Sequence, residues 1–131
     1  MSLPVIREHT DGVIAALQGF GVTTGDAQAP TGASEKYAVV YAIPGGNAYG
    51  TLGARHDDAE LIYQVTCVGK DRKQAEWVAD KAMGLLAGFA VTGRSVPVVE
   101  LESAPGIQRD DTKSPPLFYS TPRFRLFTTP A

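Results

Sequence analysis

The sequence predicts an α+β domain, a single mixed, largely antiparallel β-sheet with two α-helices packed on one face. Three observations carry that expectation. Two segments space their apolar residues as helices do, several shorter segments are rich in β-branched and aromatic residues, and the order is helix, two or three strands, helix, two strands. Each helix has one apolar stripe, so a single sheet with both helices on the same side gives every stripe a partner.

The first helix is predicted from Pro4 to about Leu17. Proline suits a first helical turn, where its missing N–H costs nothing, and Ile6, Val13, Leu17 and Phe20 recur at spacings of seven, four and three. Gly12 weakens this helix by about 1 kcal/mol relative to alanine; Gly19 and Gly21 terminate it. His9 reads as a surface or boundary residue. Residues 23–35 shift to Gly, Thr, Ala and Pro without apolar periodicity and are expected to form an exposed, flexible loop. Lys36 to Ile43 (KYAVVYAI) has a strand's length and composition. Pro44-Gly45-Gly46-Asn47 supplies a turn, and Ala48 to Leu52 is a candidate short returning strand.

Glu60 to Val68 is the clearest strand. Leu61, Tyr63, Val65 and Cys67 share one face while Gln64 and Thr66 lie on the other, the alternation of a half-buried sheet. Asp71 follows as an N-cap, with Gln74 in capping-box position. In the second helix Val78, Ala82, Leu85 and Phe89 recur at four, three and four, with Ala75, Ala79 and Leu86 widening the stripe; Gly88 or Gly93 ends it. Val96 to Leu101 is a strand with Pro97 near its start. Residues 104–116 form a second polar, proline-bounded loop. Leu117 to Thr128 closes the sheet, with Phe124 and Leu126 facing inward, Arg123 and Arg125 outward, and Pro122 marking a bulge or an edge.

At 131 residues, 44% hydrophobic and 20% charged, the chain has the size and composition of one globular domain, able to bury a core without disulfide or metal staples. The net charge is -2 and no Lys/Arg-rich run offers a phosphate-neutralising footprint, which disfavours autonomous nucleic-acid binding. Cys67 is the only cysteine, so the fold does not depend on an oxidising compartment. No apolar run approaches the ~20 residues that span a bilayer. The first residues lack the apolar core of a signal peptide, and the expected site of synthesis is a cytoplasm.

The best enzyme-like cluster is the acidic loop His56, Asp57, Asp58 and Glu60, where carboxylates could hold a hard cation beside a histidine base. Its spacing matches no metal motif, and a solvated turn before a strand is the favoured reading. Asp110 and Asp111, next to Arg109, form a second acidic pair, read as a solvated loop or an intersubunit contact. If the two loops converged, Asp57, Asp58, Asp110 and Asp111 could share one ion in a small metal-dependent hydrolase. Cys67 lies on the inward strand face and reads as a small core residue. Gly45, Gly46, Gly50 and Gly53 lack the Gly-Lys-Ser/Thr and the following helix of a phosphate loop. Trp77 lies beside the apolar stripe of its helix, either at the core's edge or against a partner. Arg123 and Arg125 alternate on one strand face, where charges at an edge can set the register between subunits.

Beyond these chemical readings, the run Gly50-Thr51-Leu52-Gly53, Asp57-Asp58-Ala59-Glu60 and Tyr63 to Gly69 resembles tail terminator proteins of long-tailed (siphovirus-type) phages of actinobacteria. Arg72 and Gln74 to Asp80 continue the resemblance, and Gly106 to Asp111 and Ser114 to Tyr119 look like the same family's later loop and last strand. The resemblance covers most of the chain from Lys36 to Thr128. It implies a non-enzymatic virion structural protein, a homohexameric ring at the tail-neck junction that caps the tail tube, stops its polymerisation and docks to the head-side connector. Implied partners are further copies of the chain, the tail tube protein, the connector or stopper protein, and genomic DNA passing through without sequence-specific contact. No membrane and no cofactor are expected. A neighbouring neck or head-to-tail joining protein is the alternative. The expected subunit or partner interface comprises Arg55, His56, Asp57 and Asp58, then Gln108, Arg109, Asp110 and Asp111, then Arg123 and Arg125.

Overall fold

The computed structural model describes residues 6–31, 35–43, 48–49 and 58–130, with the backbone alone at 48–49 and 58–59. Helix α1 is Ile6–Gly19 and α2 is Arg72–Ala82, continued by a 3-10 turn, Met83–Ala87. The strands are β1 (Thr24–Asp26), β2 (Tyr37–Ile43), β3 (Ala48–Tyr49), β4 (Asp58–Gly69), β5 (Arg94–Ser103), β6 (Gln108–Asp110), β7 (Leu117–Ser120) and β8 (Arg123–Pro130). They form one sheet. Among the described residues only the β1–β2 pair is parallel; every other pairing is antiparallel. The predicted α+β architecture is therefore the observed one.

Strand β4 is the axis of the sheet. Along one edge it pairs with β2 and β3; along the other, its first half pairs with β8 and its last residues with β7. β5 is attached outside β8, and β6 outside β7. Alternation decides what each face buries. Tyr63, Val65 and Cys67 of β4 meet Ala38 and Val40 of β2 and Phe124 and Leu126 of β8, all within a few per cent of full burial. Val13 and Leu17 of α1 and Val78, Ala82 and Leu85 from the second helical segment close over them. Both helices thus lie on one face, and the opposite face has no helix among the described residues.

Several expectations need correction. The loop predicted at 23–35 contains β1, which the sequence pattern could not announce because Thr24, Gly25 and Asp26 carry no strand composition; their order comes from pairing with Ala38, Val39 and Val40. The loop at 104–116 likewise contains β6, ordered by pairing with β7. The last strand is two strands, separated where Pro122 uses its carbonyl to accept from Val65 N at 3.0 Å. β8 is no edge: it runs between β4 and β5. α2 leaves α-geometry at Met83, short of the predicted glycines, and Gly88 (φ 98°) follows the 3-10 turn. Ile6, expected in the core, is 48% exposed. His9, expected at the surface, is fully buried. The turn at 44–47 and the returning strand beyond Tyr49 lie outside the described residues.

The α2 start is as predicted, with one refinement. Asp71 Oδ1 accepts from Gln74 N at 2.8 Å, whereas the Gln74 side chain accepts from Lys70 N, also at 2.8 Å, one residue earlier than a standard capping box places it. Gly69 makes this tight corner feasible: a Cβ there would lie 2.5 Å from Ala75 N and 2.6 Å from Gln74 Cβ.

Candidate functional site

Antiparallel register places four of the predicted interface residues on the face without a helix. Arg123 is opposite Gln64 and Arg125 opposite Ile62, while Gln108 is opposite Tyr119, itself opposite Val68. Asp110 is opposite Leu117, on the same side. The face is mixed in character, because Tyr37, Val39, Tyr41, Ile62, Val68 and Phe127 lie among the polar residues.

Local hydrogen bonds hold these side chains. Tyr119 Oη donates to Gln108 Oε1 at 2.9 Å, and Arg123 Nε to Gln64 Oε1 at 3.2 Å. Asp110 Oδ1 accepts from both the backbone N–H and the hydroxyl of Thr112, which holds the Asp110 carboxyl below the usual carboxylate range. Asp110 also borders a groove of about 260 Å³ with Tyr37, Val68, Lys113, Leu117 and Tyr119. Arg125 lines a second groove, of about 200 Å³, with Glu60, Val98, Glu100 and Phe127. Arg109 falls on the other side of β6, paired with Asp111 and 5.9 Å above the ring of Phe118.

Arg55, His56 and Asp57 lie outside the described residues, and Asp58 is described by its backbone, at the start of β4. Asp110 lies beside the opposite end of β4, where β7 pairs with Cys67 to Gly69. Eleven strand steps separate Asp58 from Gly69, about 35 Å at the rise of an extended chain. One ion cannot bridge that span, so a shared site for Asp58 and Asp110 is excluded by the register. Among the described residues, no three His, Cys, Asp or Glu side chains gather as metal ligands. Cys67 is a core thiol: burial pushes its pKa up to about 12, so the reactive thiolate is suppressed at neutral pH.

Two constellations escaped the sequence reading. The first is buried. His9 Nε2 is 2.7 Å from Thr128 Oγ1, which also accepts from Arg94 Nε at 3.1 Å, and Thr10 and Tyr63 meet next to them on the Ile6 carbonyl. Nothing in the spacing of His9, Arg94 and Thr128 could reveal it, since it depends on the start of α1 reaching the end of β8. The second is on the surface: the Trp77 ring carries Lys36 Nζ 4.1 Å and Lys81 Nζ 5.4 Å from its centroid. Lys81, one turn after Trp77, was visible in the sequence; Lys36 was not. Trp77 itself is partly buried against the core, so it belongs to the core's edge.

No protein-family model and no curated protein sequence matches this chain.

Proposed function

We propose that this chain is a non-enzymatic assembly subunit, a phage tail terminator that closes into a ring, caps the tail tube and receives the head-side connector. One observation carries the reading. The stretches that resemble the terminator family, Tyr63 to Gly69 and Gln74 to Asp80, build the axial strand β4 and the helix packed on it, so the resemblance lies in the framework of the fold. The surface is consistent with subunit contacts. One sheet face carries no helix among the described residues, and the outermost strand β5 exposes Val98 and Leu101 at 43% and 39%. Ring closure by cyclic symmetry needs two different patches on each subunit, which a sheet with unlike edges supplies.

The decisive experiment mixes the purified protein with polymerising tail-tube subunits. Tubes that stop growing, with an added ring at one end in negative-stain images, are the expected result. Tubes of unaltered length, together with a strictly monomeric protein at high concentration, would overturn the proposal. A neck protein on the head side would instead leave tube length untouched and bind connector complexes.

A further inference from the structure

Four of the chain's five lysines, all except Lys113, gather around α2: Lys36 on the Trp77 ring, Lys70 and Lys73 at the helix start, and Lys81 in its last turn. The macrodipole favours Lys81, in the last turn, but not the cations at the helix start. The first turn of α2 contains no acidic residue but has Arg72 and Lys73, cations at the positive end of the helix dipole. Of these charges, only Arg72 has a carboxylate within ion-pair distance among the described residues, Glu76 at 3.0 Å. Asp80 and Glu35, although near in sequence, form no ion pair with the lysines among the described residues. Lys36 and Lys81 share one indole, which places their ammonium groups within about 10 Å of each other. Together they form a fixed cationic fork on a partly buried aromatic base.

The opposite flank of the sheet has the matching chemistry. Lys36 adjoins β2, on one edge of β4, while β5 is the outermost strand beyond the other edge. Glu100 and Glu102 are both exposed on β5 and form no ion pair among the described residues, and Val98 and Leu101 beside them are exposed apolar residues. Glu100 stands in the ladder opposite Arg125, and Glu102 lies two residues on, inside the register shift between Leu101 and Ser103, so the two carboxylates form one short acidic segment. Register shifts between Ser95 and Val98 and between Leu101 and Ser103 interrupt the ladder on either side, leaving a short segment rather than a long edge for another chain to meet.

We infer that a second copy of this chain docks its Val98–Glu102 edge on the Lys36–Trp77–Lys81 fork, a head-to-tail contact between unlike surfaces. The inference deepens the assembly reading above and rests on it, because it names the two faces that such a ring would join. A contact between two unlike, separate patches repeats from copy to copy, and it gives a ring where the rotation between copies closes.

The test is a charge exchange read by sedimentation velocity. Lys36→Glu with Lys81→Glu, and separately Glu100→Lys with Glu102→Lys, should each weaken self-association about tenfold or more, and an equimolar mixture of the two variants should recover a mixed contact. Thermal melts establish that each variant is folded. Independently, carbodiimide cross-linking of a mixture of unlabelled and 15N-labelled wild-type protein should join Lys36 or Lys81 of one copy to Glu100 or Glu102 of another. That second readout holds if a variant fails to fold. Wild-type association that is unchanged by either reversal, with intermolecular cross-links confined to other residues, overturns this contact while leaving the ring reading intact. A wild type that remains monomeric overturns both. Loss of DNA retention in the lysine variant, with association unchanged, would assign the fork to nucleic acid and overturn the inference.

Discussion

Tyr63 Oη lies 2.9 Å from Thr10 Oγ1, and both hydroxyls reach the carbonyl of Ile6, at 3.0 and 3.1 Å. Three contacts share two protons, so one hydroxyl donates to the carbonyl while the other can turn toward its neighbour. The cluster fastens the first turn of α1 to the axial strand at a point where the surrounding side chains are buried. Burial also raises the Tyr63 pKa, which keeps the phenol protonated and able to donate. Tyr63→Phe should therefore cost about 1 kcal/mol in urea unfolding, and a double-mutant cycle with Thr10→Val should show that the two losses are not additive. Additive losses would mean that the two hydroxyls act separately.

Asp71→Ala removes the side-chain acceptor for Gln74 N and should destabilise the protein by about 1 kcal/mol. Asp71→Asn, which keeps an acceptor oxygen, should retain most of that stability. Chemical denaturation of the two variants side by side separates the cap from the charge.

Gly69→Ala should be more damaging than its size implies. The new methyl would press on the backbone of Ala75 and on Gln74, in the first turn of a helix anchored by its cap. Overpacking of this kind costs about 1–3 kcal/mol. An unchanged melting temperature would show that α2 can shift freely away from β4.

Cys67 gives a pH dependence with a definite sign. Its pKa is about 12 in the fold against 9.0 as the reference value, so between these limits the unfolded chain loses its proton while the folded chain keeps it. Stability is fully present below pH 9 and declines as pH rises toward 12. Cys67→Ala should flatten that decline after its own cavity cost is subtracted. Native protein should also resist thiol reagents at pH 8 and react fully in denaturant.

The Arg7–Asp26 pair acts in the opposite pH direction. The hydrogen bond from Arg7 lowers the Asp26 pKa, so any stability it contributes is present above the ordinary carboxylate range and is lost as acid titrates Asp26 through its lowered value. Arg7→Ala should raise the Asp26 pKa, measurable by NMR titration. Because both side chains are about half exposed, the accompanying stability change should be small and screened by salt.

Legibility in the sequence followed the strength of periodicity. β4 and α2 were readable because Leu61 to Cys67 alternate and Val78 to Leu85 repeat on a helical face, both patterns enforced by the same core. β1 and β6 were not, because three-residue strands gain their order from a neighbour and leave no period behind. His9 was misplaced because a polar residue on a helix says nothing about whether Thr128, more than a hundred positions later, will supply a partner. For the candidate site, Arg123 and Arg125 share a face, as strand alternation allowed, whereas Gln108 and Asp110 join that face through β6, in a segment read as a loop. The separation of Asp58 from Asp110 became visible only through register, which depends on which strand pairs where.

The attachment of β5 has a consequence in time. Among the described residues β5 joins the sheet only through β8, a strand synthesised some twenty residues later. Until β8 settles against β4, Val98 to Glu102 have no backbone ladder to hold them, and their exposed carboxylates have no fixed spacing. On the contact inferred above, a subunit that has not completed its sheet has no organised edge to offer, so only copies that have already folded would associate.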